Sequence, residues 1–219
     1  MGSNPAGRAI FTLRCIGPKH GVQRIGNQAE TGNRQVGRAV GRCTGALFFA
    51  FFGGAWCALG VYALGRLDLL AALLIAAAVA VFVITAVRLQ RRGKAAAKNA
   101  YPAAERQLND RRFGIVNAVT WLLVAVLFQV MPWLGYQPLL FPAIAVVVGL
   151  HFFPMPPLYR HRANQVTGAG MVIWAILCPL LFHGDTMIGY LALGAGLMLW
   201  AGSAWALRTA SQLLGAAGL

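Results

Sequence analysis

LLAALLIAAAVAVFVITAVRLQRRGK, residues 69 to 94, holds nineteen residues without a charge and then four bases within the next seven. At 1.5 Å per residue the uncharged run makes a helix of about 28 Å, close to the roughly 30 Å of hydrocarbon in a bilayer. Backbone amides in hydrocarbon find partners only within their own helix, so a run of this length reads as a membrane span. Arg88, Arg91, Arg92 and Lys94 put its end at an interface. Because Lys and Arg in short connections are retained on the cytoplasmic side, that interface is expected to be the inner one.

Working outward, five more segments have the same character: TGALFFAFFGGAWCALGVYAL (44 to 64), FGIVNAVTWLLVAVLFQVM (113 to 131), PLLFPAIAVVVGLHFFPM (138 to 155), TGAGMVIWAILCPLLF (167 to 182) and MIGYLALGAGLMLWAGSAWAL (187 to 207). None of the six contains Asp, Glu, Lys or Arg. With 58% hydrophobic and 11% charged residues in 219, the chain carries more apolar sequence than one soluble core can bury. The expected fold is all-α, a polytopic bundle of six transmembrane helices, with a disordered basic tail over 1 to 43 and a short tail over 208 to 219.

The bases sort the connections into two sets. Seven precede residue 44, eight lie in 88 to 112, Arg160 and Arg162 follow the fourth segment, and Arg208 follows the sixth. That is 18 of 19 on one side of a six-span chain, with Arg66 beside Asp68 as the exception. Both termini are therefore expected in the cytoplasm. The opposite connections, GRLD, WLGYQ and HGDT, are so short that the spans pair as three hairpins. Tyr62, Trp133, Tyr136 and Tyr190 fall near the outer boundary, and Tyr159 and Trp205 near the inner one, as amphipathic rings do.

The connection 88 to 112 reads as helical, with Pro102 and Glu105 suited to a helix start and helix three projecting into the cytoplasm. Its bases are expected to face anionic lipid headgroups, each contributing about 1 kcal/mol near the surface, rather than nucleic acid. Cys15, Cys43, Cys57 and Cys178 show no metal-ligand spacing and are expected to be unpaired. No phosphate-binding glycine loop, HExxH or GxSxG is present, and no acid lies within a span. The sequence thus offers no catalytic, cofactor or metal site.

Small residues at four-residue spacing mark helix contact faces in lipid. Ala72, Ala76 and Ala80 form such a stripe and Ala145 and Gly149 a second, while Gly189, Ala192 and Gly196 share one face of the sixth span. They are read as packing faces within the bundle, with a homo-oligomer or another membrane protein as the alternative partner. Polar residues inside spans gather near the inner ends: Asn117 and Thr120 in the third, His151 in the fourth, Thr85 in the second and Thr167 in the fifth. The third and fourth spans form one hairpin, so Asn117 is expected to meet His151. Two readings of this cluster stand side by side. In one, His151 sets helix register in a non-enzymatic membrane component. In the other, it lines a cytoplasm-facing pocket of a small-solute or proton transporter.

The strings NAVTW, GLHFFP and VTGA resemble those of an uncharacterised family of small bacterial multi-pass inner-membrane proteins. The resemblance spans roughly residues 44 to 207 and implies a bacterial inner-membrane location without implying an activity.

Overall fold

A computed structural model describes residues 19–98, 100–155 and 162–219. The described chain is helical, with six α-helices in the order α1 Lys19–Ala63, α2 Leu69–Ala97, α3 Ala103–Trp133, α4 Leu140–His151, α5 Arg162–Leu181 and α6 Gly184–Ala216. A short 3-10 turn, Gln137–Leu139, leads into α4. Five helices are long and apolar enough to cross a membrane, and these are the helices of a multi-pass membrane protein.

The expected hairpins form, closed by tight turns. Gly65 (φ +66°), Gly135 (φ +78°) and Gly184 (φ +58°) occupy the left-handed region that a side chain would strain. Asp68 Oδ1 accepts from the Ala71 amide at 2.7 Å, which satisfies one of the orphan donors at the start of α2. Between α2 and α3, Arg106 Nη2 donates to the carbonyls of Lys98 (2.6 Å) and Tyr101 (3.2 Å). Pro102 precedes the first residue of α3, and α3 runs ten residues before reaching Phe113, so its first turns extend beyond the apolar run as expected.

Three expectations require correction. First, α4 has only twelve helical residues, about 18 Å, and is not a full span. Pro154 lacks the amide that would continue the ladder and disfavours helix at Phe153, so the expected 138 to 155 run stops at His151. Second, residues 19 to 43 are helical rather than disordered, as the first turns of α1. Val36, Ala39 and Cys43 are buried there against α2 and α6, which outweighs the weak helix preference of a Gly-, Asn- and Arg-rich sequence. Third, residues 208 to 216 continue α6 instead of forming a loose tail, because Ala210 and Leu214 close the same layer. The start of the expected tail, residues 1 to 18, lies outside the described residues.

The core accordingly has two layers. The larger joins α1, α3, α4, α5 and α6 around Met171, Leu191 and Leu199. The second, at the basic end, joins α1, α2 and α6 around Cys43, Ala86, Leu207 and Leu214. The antiparallel α1 and α6 form the spine. Along it, a Cβ on Gly196 would lie 2.5 Å from Cys57 Sγ and 2.8 Å from the Gly53 carbonyl. Trp200 Nε1 donates to the Ala50 carbonyl (3.1 Å) and Ser203 Oγ to that of Ala46 (3.0 Å).

Of the three small-residue stripes, two pack as expected. Gly189, Ala192 and Gly196 are buried on the α1 side of α6. Ala145 is fully buried, and Gly149 meets the Gly168 carbonyl of α5. Ala72, Ala76 and Ala80 are exposed instead, and α2 packs through its Ile75, Val79 and Ala86 side, against Gly54 and the second layer. Cys43, Cys57 and Cys178 are buried and unpaired; Cys15 lies outside the described residues.

Candidate functional site: a cavity at the basic end of the bundle

The inner polar residues meet around a cavity of about 130 Å³ enclosed by α1, α3, α4, α5 and α6. Its walls are largely aromatic: Phe48, Phe49 and Phe52 from α1 face Phe113 and Trp121 from α3, with Phe152 following α4. Helix packing explains why a void persists there. α1 and α3 run side by side without close backbone contact and are bridged by ring pairs, Phe48 with Phe113 at 6.1 Å and Phe52 with Trp121 at 6.0 Å. Large side chains hold these two helices apart where α1 and α6, lined by glycine and alanine, close completely.

His151 and Thr120 form the hydrogen-bonded floor. His151 Nδ1 lies 2.7 Å from Thr120 Oγ1, and that hydroxyl donates to the Val116 carbonyl at 2.9 Å. A hydroxyl has one proton, so the bonds to Val116 and to His151 form together only in the tautomer that carries its proton on Nδ1. His151 stacks edge-on to Phe152 at 5.6 Å, and Phe152 in turn stands edge-on to Phe49 at 5.1 Å. The ring is thereby held by contacts on α3 and α1 as well as by its own helix.

Each expected site residue has a definite place. Asn117 lines the cavity, but His151 bonds to Thr120 one turn deeper rather than to Asn117. Thr167 is buried and turned toward α6, where a Cβ on Gly202 would approach its Oγ1 to 2.6 Å. Thr85 does not join the group: it is exposed and bonds the Val81 carbonyl of its own helix at 2.7 Å. The buried Asn164 of α5, beside Thr167 in the inner polar group of the sequence, also lines the cavity. Two polar contributors escaped the sequence reading, Arg42 and Thr44 of α1. Arg42 and Thr44 were assigned to the tail and its junction. The spacing of Val36, Ala39, Cys43 and Ala46, alternating three and four, is the signal that continues the helix through them.

A second, more open cavity of about 470 Å³ adjoins the first. Gly41 and Thr44 border both. Lys94, Lys98 and Arg106 line it together with Tyr101 and one carboxylate, Asp110. Gln90 Nε2 donates to Thr44 Oγ1 at 2.9 Å, and Thr44 donates to the Val40 carbonyl at 3.2 Å, so the shared wall is fixed between α1 and α2. Among the described residues, no three His, Cys, Asp or Glu come together as metal ligands would.

The fold and this cavity define a helical multi-pass membrane protein with an inner chamber at its basic end. No protein-family model matches the chain, and no curated protein and no solved structure matches it.

Proposed function

We propose that the chain is a non-enzymatic component of a bacterial inner membrane, with both termini in the cytoplasm, that binds a ligand in the chamber floored by His151 and Thr120. The observation that carries this reading is the cavity itself, where side chains from five helices leave space beside the bonded pair His151 and Thr120. The distribution of bases supports a cytoplasmic opening. The resemblance of GLHFFP and VTGA to bacterial inner-membrane proteins supports the location. Arg88, Arg91, Arg92, Arg111 and Arg112 are exposed at the basic ends of α2 and α3, where they are placed to meet anionic headgroups.

The transporter reading rests on the same residues and requires a path to the outer side. Against it, Gly60 packs against Leu193 and Gly189 against Leu64 along α1 and α6 on the side of the chamber away from the basic end. This packing favours a closed-ended pocket over a conduit. H151A in reconstituted vesicles separates the two. A lower thermal midpoint with unchanged proton and solute permeability is the expected outcome. A specific transport activity in wild-type vesicles that disappears in a stable H151A protein sinks the binding-only reading.

A further inference from the structure

We infer that the aromatic chamber and the basic cavity beside it form one bipartite site for an anionic amphiphile, a molecule with one acyl chain entering the chamber and a carboxylate or phosphate headgroup held at the basic mouth. The inference rests on the proposed cytoplasmic-side pocket and specifies its ligand.

Depth is the first argument. Thr120, at the floor, lies about 20 Å along α3 from its outer end, whereas Lys94 lies about 38 Å along α2 from its outer end. A hydrocarbon layer of about 30 Å therefore has its inner boundary between the two cavities. The chamber sits at acyl-chain depth and the second cavity at headgroup depth. A ligand filling both must change from apolar to polar along its length.

Chemistry agrees with depth. The chamber offers Phe48, Phe52 and Trp121 at acyl depth, with Arg42 at its rim. The mouth offers the ammonium groups of Lys94 and Lys98. Arg106 contributes positive charge there while its Nη2 holds the turn carbonyls, and Asp110 offsets one charge. Three bases against one acid select an anion. Volume narrows the choice further: at about 130 Å³ the chamber is well below the roughly 300 Å³ at which sites for whole drug-sized molecules begin, so it suits part of one chain and excludes two.

Gly45 provides the test. It lines the chamber, and a Cβ there would have no neighbour within 4 Å, so a leucine can occupy the void without displacing packed atoms. Gly114 of α3 is equally open but lies outside the chamber lining and serves as the control. The full-length chain in phosphatidylcholine nanodiscs is titrated with lysophosphatidylglycerol bearing a nitroxide on the distal part of its chain, and tryptophan quenching is followed. The expected result is saturable quenching with a component that is absent in W121F. Lysophosphatidylcholine and the K94Q/K98Q variant should each bind at least tenfold more weakly. G45L should abolish saturation while keeping a wild-type or higher thermal midpoint, and G114L should bind as wild type.

Phosphatidylglycerol mixed into the disc identifies the source. Competition assigns the site to a leaflet lipid with one chain inserted, and lack of competition assigns it to a free single-chain amphiphile; either result supports the site. Quenching that is identical in wild type and stable G45L overturns the inference. Full displacement by millimolar inorganic phosphate also overturns it, because the site then recognises a solute anion alone. Cysteine labelling of the connection between α2 and α3 reports sidedness independently, so failure of the ligand assignment stays distinct from failure of the cytoplasmic-pocket reading.

Discussion

His151 is fixed by a hydroxyl on the neighbouring helix, and that hydroxyl is itself tied to a backbone carbonyl. Replacing Thr120 with Val removes the hydroxyl at nearly constant shape and leaves His151 Nδ1 without its partner. Interhelical side-chain hydrogen bonds in membrane proteins average about 0.6 kcal/mol and reach about 1.7 kcal/mol, so T120V should lower stability within that interval. N117A should lower it less, since Asn117 borders the cavity without bonding His151. Thermal unfolding in detergent compares them, and a larger loss for N117A contradicts the assigned pair. The sequence placed all three residues near one level because distance from a span end is countable. It favoured Asn117, counted to the same depth as His151, over Thr120 one turn deeper, and the structure reverses that choice. That choice depends on how far α3 slides and rotates against α4, which the turn WLGYQ and the stacked rings of Phe152 and Phe49 settle through tertiary contact.

Among helices, the decisive contrast is between α1 against α6, which close on glycine and alanine, and α1 against α3, which are held apart by rings. G196V should destabilise the protein by about 1–3 kcal/mol or more, because its Cβ meets backbone at Gly53 as well as the Cys57 sulfur. A76L on α2, by contrast, should leave monomer stability unchanged within about 0.5 kcal/mol, since Ala76 is exposed. Chemical denaturation of both variants in the same micelle decides this, and a loss for A76L matching that of G196V shows that the stripe is covered. Three- and four-residue spacing identified all three stripes but could not tell which would find a partner. A helix in lipid can turn any face outward without a hydrophobic penalty, so small residues are permitted at a contact and also away from one. The basic tail was misread for a related reason. Its composition is that of a disordered segment, yet Val36, Ala39 and Cys43 rest on partners from α2 and α6 that are remote in sequence.

For the molecule as a whole, packing fixes relative sidedness and charge supplies its direction. Gly60 lies against Gly189, and Ala46 receives the Ser203 hydroxyl, so α6 runs opposite to α1 and ends on the side where α1 begins. α5 is joined to α6 by a short turn, so it starts on that side as well. The end of α4, through Gly149 against Gly168, points there too. The described helices therefore place the end of α4 and the start of α5 on the side where α1 begins, although α4 is only twelve residues long. If the bases then sort this side to the cytoplasm, single cysteines at Ala95, Arg162 and Leu219 should resist a membrane-impermeant maleimide in intact spheroplasts and react in inverted vesicles. A cysteine at Leu67 should do the reverse. The background is low because Cys43, Cys57 and Cys178 are buried, and Cys15 is replaced by Ser. Labelling of the Arg162 and Leu219 positions from outside, with Ala95 still protected, would mean that α4 enters and leaves by one face. The antiparallel spine of α1 and α6 could not then exist in the membrane. Outside labelling of Ala95, Arg162 and Leu219 together would keep the fold and reverse its insertion, moving the chamber mouth away from the cytoplasmic leaflet.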